Sequence, residues 1–320
     1  MKFGEIVQPW LARKEMTVKP SSYANYCYAT VKRIMPKFGD MELDAITEDT
    51  VQTWIGEMAA TGLALRTYKE AVLTLINALR FAEKKGWRKS QGRLEVAYPR
   101  ISETEDERRE LALRPETCAA LIEAVDEEID QHDYRANVRN YVGIIISLFT
   151  GLRIGEVCGL KWEDIDLGEG VIRVRRTVQR NYTYNQDNVL MSAKSIGSPK
   201  TRTSRREVPI CAPLRERLER VERPEDGEAY FLSGVRTSSE PRTLRETMAR
   251  LCARHGIGRF NFHRLRHTFA TRCIEAGVDA KTTSELLGHA NVNITLNLYV
   301  HPNAEAKRTA VDRMAAAFAK

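Results

Sequence analysis

The feature that most limits how this chain can fold is a gap. Residues 99–112, PRISETEDERRELA, are polar and charged with little apolar content. They separate two long stretches, each with its own hydrophobic periodicity. One core cannot run through such a segment, so it reads as a linker between two domains, residues 1–98 and 113–320. At 320 residues the chain is long enough for each part to bury a core of its own.

Residues 1–98 read as all-helical. FGEIVQPWLARKE carries Phe3, Ile6, Val7, Trp10 and Leu11 at helical spacing. KPSSYANYCYATVKRIMPKFGD opens on a Pro-Ser-Ser signal and reads as an amphipathic helix as far as Pro36 and Gly39. TEDTVQTWIGEMAATG is a capped helix that begins at Thr47 and stops at Gly62, and a long helix follows and ends at Gly86. Lysines and arginines are scattered over the polar faces. Such a module can clamp a duplex through phosphate contacts, or serve as a protein-interaction bundle.

The second part mixes helix and strand. A helix starts at Arg114-Pro115-Glu116, and YVGIIISLFTGL reads as a buried helix, too short to span a bilayer. VIRVRRTVQR alternates apolar and basic residues and reads as a strand, with RREVPI as a second. The segment between them, roughly 181–200, is long for a turn and has room for an extra strand. The expected fold is mainly α with a small antiparallel β-sheet, and helices run to the end.

Charge and cysteine content narrow the class. The net charge is +7, and residues 103–133 are strongly acidic, so both flanks are more basic than the total suggests. A basic surface favours a polyanionic partner. The six cysteines have no metal-ligand spacing and read as reduced thiols of a cytoplasmic protein. No signal peptide is visible in MKFGEIVQPWLARKE.

Four segments carry residues suited to chemistry. FHRLRHTFATRC sets His263, Arg266 and His267 on one helical face. TGLRIGEVCGL places Arg153 where a glycine-containing turn meets a helix, with Glu156 in reach of its guanidinium. GSPKTRTSRREVPI sets Lys200 near the tip of the expected β-hairpin, with Lys194 as a rival. LLGHANVNITLNLYVHP holds His289 and Tyr299. No carboxylate cluster, P-loop, Rossmann glycine pattern or HExxH accompanies them, so no metal and no cofactor is expected. The set suits one phosphodiester gripped from several sides. Two guanidiniums match the charge that develops on the non-bridging oxygens. A phenol attacks only if a neighbour takes its proton or cations stabilise the phenolate, and the departing sugar oxygen needs a proton donor.

These segments resemble the tyrosine recombinase (phage integrase) family. Its ordered pattern of Arg, Lys, His-x-x-Arg, His/Trp and Tyr is met by Arg153, Lys200, His263, Arg266, His289 and Tyr299. Residues 1–98 are similar to the family's SAM-like core-binding domain, and 113–320 to its catalytic domain. Arg264 stands where many members have Asp. The resemblance implies that Arg153 and Arg266 clamp the scissile phosphate and that Lys200 is the general acid in the minor groove. It implies that His263 assists proton transfer at the tyrosine, His289 bonds the phosphate, and Tyr299 forms a 3′-phosphotyrosine. Glu156 would orient the cations. His267 reads as a structural hydrogen-bonder, and His132 and His255, outside the motifs, as surface residues.

The implied activity is site-specific recombination of a mobile element, most like the integrases of conjugative transposons and prophages. A homotetramer would act on two double-stranded core sites, from a chain that is monomeric without DNA. A directionality factor is a further implied partner, no membrane is involved, and an arm-site-binding domain is expected to be missing. The C-terminal tail carries Val311, Met314, Ala315 and Phe318 at helical spacing and would dock on a neighbouring protomer. Two other functions use overlapping features: DNA relaxation of the type IB topoisomerase kind, and DNA-binding regulation without catalysis.

Overall fold

The computed structural model describes residues 1–99, 112–131, 135–185, 189–198 and 204–299, with Arg308, Val311, Asp312, Met314, Ala315 and Phe318 of the tail. For residues 135–137, 294 and 297–299 the description covers the backbone alone. Contacts divide the chain into two compact units, Met1–Glu103 with Arg180–Ser195, and Thr104–Gln179 with Ile196–Lys320.

The first unit is built on helices α1 (Phe3–Thr17), α2 (Pro20–Ala29), α3 (Met35–Phe38), α4 (Glu48–Ala60) and α5 (Leu65–Lys84). Each turns its apolar stripe inward, so Phe3, Ile6, Val7, Trp10 and Leu11 of α1 are buried with Val51, Trp54 and Ile55 of α4. Thr47 caps α4 by accepting from the Thr50 amide. The helical run that begins at Pro20 ends at Gly39, as the sequence suggests. A π-helical turn, Thr30–Ile34, lies within it, and Pro36 sits in the first turn of α3. A proline there needs no amide bond to the preceding turn. The buried guanidinium of Arg88 donates to the carbonyls of Leu43 and Ile46, which ties the segment after α5 to the loop before α4.

The second unit contains α6 (Pro115–Gln131), α7 (Arg135–Thr150), α8 (Ile154–Gly159), α9 (Ala212–Glu219), α10 (Pro241–Arg254), α11 (His263–Glu275), α12 (Ala280–Leu287) and α13 (Val292–Tyr299). Helix α7 is the centre of the core. Val142, Ile144, Ile145 and Ile146 are fully buried, and α6, α8, α9, α10 and α11 all pack on this helix. Strands β1 (Ile165–Asp166), β2 (Val171–Val174) and β5 (Arg206–Pro209) form an antiparallel sheet in the order β1-β2-β5, with Ile172 opposite Val208. No described helix is long and apolar enough to cross a membrane.

Strands β3 (Thr177–Tyr184) and β4 (Leu190–Gly197) form a separate hairpin. The sequence reads 171–180 as one strand, but the chain breaks at Arg175 and Arg176. Both side chains turn to the buried carboxylate of Asp164, at 3.6 and 2.5 Å, and this pins the bend. The segment after it does carry an extra strand, β4. The middle of the hairpin, Arg180–Ser195, belongs to the first unit. There Tyr182 lies 5.2 Å from Tyr28, ring to ring, and Gln8 donates to the Asn185 carbonyl at 2.7 Å. The hairpin turns between Asn185 and Val189. Lys200 falls after β4 and before β5 in the sequence and lies outside the described residues.

One histidine is misjudged from sequence. His255 is not a free surface residue. Its Nε2 lies 3.1 Å from the carboxylate of Glu128, which is 2% exposed. Burial would raise Glu128, but hydrogen bonds from Arg254, His255 and Tyr141 outweigh it and hold the carboxyl down at about 2.

Candidate active site

The site starts at the end of α7. Ser147 donates to the Leu152 carbonyl at 2.8 Å, which fixes the tight turn before α8. Arg153 is the N-cap of α8. Glu156 accepts the Arg153 amide with one oxygen and its guanidinium with the other, both at 2.9 Å. The Glu-at-N3 arrangement was legible in the sequence. Glu156 is 2% exposed. Burial works against its charge, yet Arg206 and then Arg153 hold the carboxyl below the usual range. Gly155 lets this turn approach β3, because an added Cβ would meet the Val178 carbonyl oxygen at 2.5 Å. Gly155→Ala is expected to cost about 1–3 kcal/mol in stability, read by denaturant unfolding.

Helix α11 supplies three more groups. Arg266, 3% exposed, donates to the Gly151 carbonyl at 2.8 Å, so it reaches back to the turn before Arg153. His263 and His267 meet edge to face at 4.6 Å. Arg264 is structural here: its guanidinium donates to the Ala112 carbonyl at 3.1 Å. Arg272 donates to the Leu113 carbonyl at 2.9 Å and the Thr268 hydroxyl accepts from the Leu113 amide at 2.8 Å, so α11 is stitched to the start of this part of the chain.

Helix α12 ends at Gly288, in the left-handed conformation (φ 65°) that favours glycine. His289 follows, and its Nδ1 lies 2.8 Å from the buried Thr295 hydroxyl of α13. Nε2 is the nitrogen left for a ligand. Tyr299 is the last residue of α13, which packs on α12 and α11, and its side chain lies outside the described residues. Lys194 is half-buried on β4, in the stretch that belongs to the first unit.

Electrostatics tie these groups together. His263 lies at the surface, but partial burial first, and then His267, Arg266 and Arg153, pull it down to about 4. Burial, Arg266, Arg153, Arg206 and His263 bring His289 to about 4 as well. Burial and the charges of Arg266 and Arg264 lower His267. Residues from four parts of the chain thus bear on one another electrostatically, and both site imidazoles are neutral near pH 7. A phosphodiester entering the site would offset the charge of the arginines. Both histidines protonate only near pH 4, so kcat/KM of any reaction that needs them neutral is expected to stay level down to about pH 5 and to fall below it. A limb near pH 6.5 would contradict this.

Among the described residues no three His, Cys, Asp or Glu side chains gather as a metal site would require. Two contributors escape the sequence reading. Arg206 has the same strand parity as buried Val208, which was the available signal. Thr295 sits in a polar run that gives none.

Residues 112–306 match the model of the phage integrase family, and residues 2–59 match its N-terminal SAM-like domain. The chain belongs to the phage integrase family.

Every candidate site residue, from Arg153 to Tyr299, lies within the phage integrase match. Among tyrosine recombinases, the chain is 28% identical to a XerC-like protein of Caldanaerobacter subterraneus subsp. tengcongensis, over 97% of this chain and 82% of that one. It is 29% identical to the transposase of transposon Tn916 from Enterococcus faecalis, over 55% of this chain and 45% of that protein. The fold is shared with the Tn1549 transposon integrase, solved with transposon right-end DNA: TM-score 0.70, 23% identity, 98% of this chain and 100% of that one.

Proposed function

We propose that this phage integrase family member is a site-specific recombinase of a mobile element, cutting and rejoining DNA through a 3′-phosphotyrosine at Tyr299. One observation carries the reading: Arg153 and Arg266, far apart in sequence, both bear on the imidazoles of His263 and His289 and hold them low. Those two guanidiniums suit the extra negative charge of a phosphoryl-transfer transition state.

In this scheme Arg153 and Arg266 bind the non-bridging oxygens, with Glu156 fixing Arg153. Neutral His263 receives the phenolic proton as Tyr299 attacks phosphorus, and His289 donates through Nε2. Lys200, or Lys194 in its place, protonates the departing 5′-oxygen. The covalent bond stores the energy of the broken linkage, so rejoining needs no nucleotide. No step requires a metal. The test is a nicked suicide duplex carrying the element's end sequence, on which a covalent adduct must form.

DNA is the partner that the first unit suits as well. Arg13, Lys14, Arg80 and Lys84 line a cleft of about 240 Å³ between α1 and α5, floored by Trp10 and Phe81, and no carboxylate lines it. Removing Arg80 and Lys84 together is expected to flatten the log–log salt dependence of duplex binding by up to about 2. An unchanged slope would take this cleft out of the DNA footprint.

Four protomers on two sites, helped by a directionality factor, complete the proposal, and the chromosome places the reaction in the cytoplasm. The tail fits docking on a neighbour, because Val311, Met314 and Phe318 fall on one helical face and all three are exposed.

A further inference from the structure

We propose that Arg206 is a positioning residue of the cleavage reaction. It holds Glu156, and through it the Arg153 guanidinium, in register with the end of α12 that delivers His289. This rests on the recombinase reading above and adds a residue to it.

The argument is one of geometry. The Arg206 side chain is 6% exposed, so it does not itself reach a bound duplex. Its Nη2 donates to Glu156 Oε2 at 3.1 Å and its Nη1 to Oε1 at 3.3 Å. Nη1 also donates to the Ser204 carbonyl at 3.2 Å, and Nε donates to the carbonyl of Leu286 in α12. One planar fork therefore joins β5, α8 and α12. Gly288 leaves room for it: an added Cβ there would stand 3.0 Å from Arg206 Nη1. Both Glu156 oxygens thus accept from Arg153 on one side and from Arg206 on the other. Without Arg206 the carboxylate would be buried with one partner and free to turn, and Arg153 would turn with it. A lysine carries the charge but cannot make the set of bonds.

The groups that bear on Glu156 are Arg153 beside it, Arg206 from β5 and, from α11, His263, whose own charge state Glu156 affects. The test uses the full chain. Arg206→Gln is expected to slow single-turnover cleavage at saturating DNA by about 10–100-fold. DNA affinity should stay within about three-fold, and Arg206→Lys should fall between. The Glu156 carboxyl, followed by carbon NMR without DNA, should titrate higher in Arg206→Gln, and the acid limb of cleavage should move with it. Arg206→Gln with Glu156→Gln should lose no more than Glu156→Gln alone.

A cleavage rate equal to wild type, or a loss explained by the unfolded fraction with Glu156 titrating as before, would overturn the proposal. If Arg206→Gln does not fold, Arg206→Lys decides through the same two readouts. A wild-type protein that forms no Tyr299-dependent adduct would sink the recombinase reading. The NMR titration would then still decide whether Arg206 controls Glu156.

Discussion

Tyr299→Phe is expected to leave DNA binding intact and to abolish the covalent adduct on a nicked suicide duplex. The substitution removes one oxygen and keeps the ring. What is lost is the atom proposed to bond to phosphorus. No other group on α13 can replace it: Asn293, Asn297 and Thr295 are weak nucleophiles, and Thr295 is buried and engaged with His289. Residual cleavage should fall below about 10⁻⁴ of wild type, the order seen when a covalent nucleophile is removed. The measurement is a denaturing gel of protein bound to end-labelled DNA. An adduct of wild-type yield in Tyr299→Phe would end the proposed mechanism, whatever the family.

Arg266→Ala should come next in size, with a loss of roughly 10²–10³ in the single-turnover cleavage rate. Arg266 is the more buried of the two arginines, 3% exposed against 38% for the Arg153 side chain. A donor in that drier setting is worth more to the transition state than one facing water. It also lies in the field of both histidines. Its removal should therefore let His263 and His289 titrate upward, so the acid limb of cleavage should move above the wild-type position. Loss of the bond to the Gly151 carbonyl costs some stability too, so the thermal midpoint must be measured beside the rate. Arg266→Lys separates the two effects, because it keeps charge and loses only the fork. A full cleavage rate in Arg266→Lys would mean that charge alone suffices.

Much of this site was legible before any fold was known. Arg153 with Glu156, and His263 with Arg266, are local pairs at i, i+3, and local spacing survives in the sequence. A glycine marked the turn before Arg153. The helical unit could be read from Phe3, Ile6, Val7, Trp10 and Leu11, because burying a stripe on one face demands that period. The break after Val174 could not be read. Arg175 and Arg176 fit the alternation of a strand, and only the buried carboxylate of Asp164 turns them aside.

Arg206 and His255 carry the same lesson in two places. Each is one polar residue among many in the sequence. Each acquires its role from a buried carboxylate distant along the chain, Glu156 for one and Glu128 for the other. The sequence by itself carried the pattern of two helix-rich parts, the candidate cations and the single tyrosine that follows them. The tertiary structure decided which charges face one another, where the hairpin turns and which histidines are neutral. The reason is physical: periodicity and capping act over a few residues. Charge perturbation and desolvation depend on distances between residues that only the packed chain brings together.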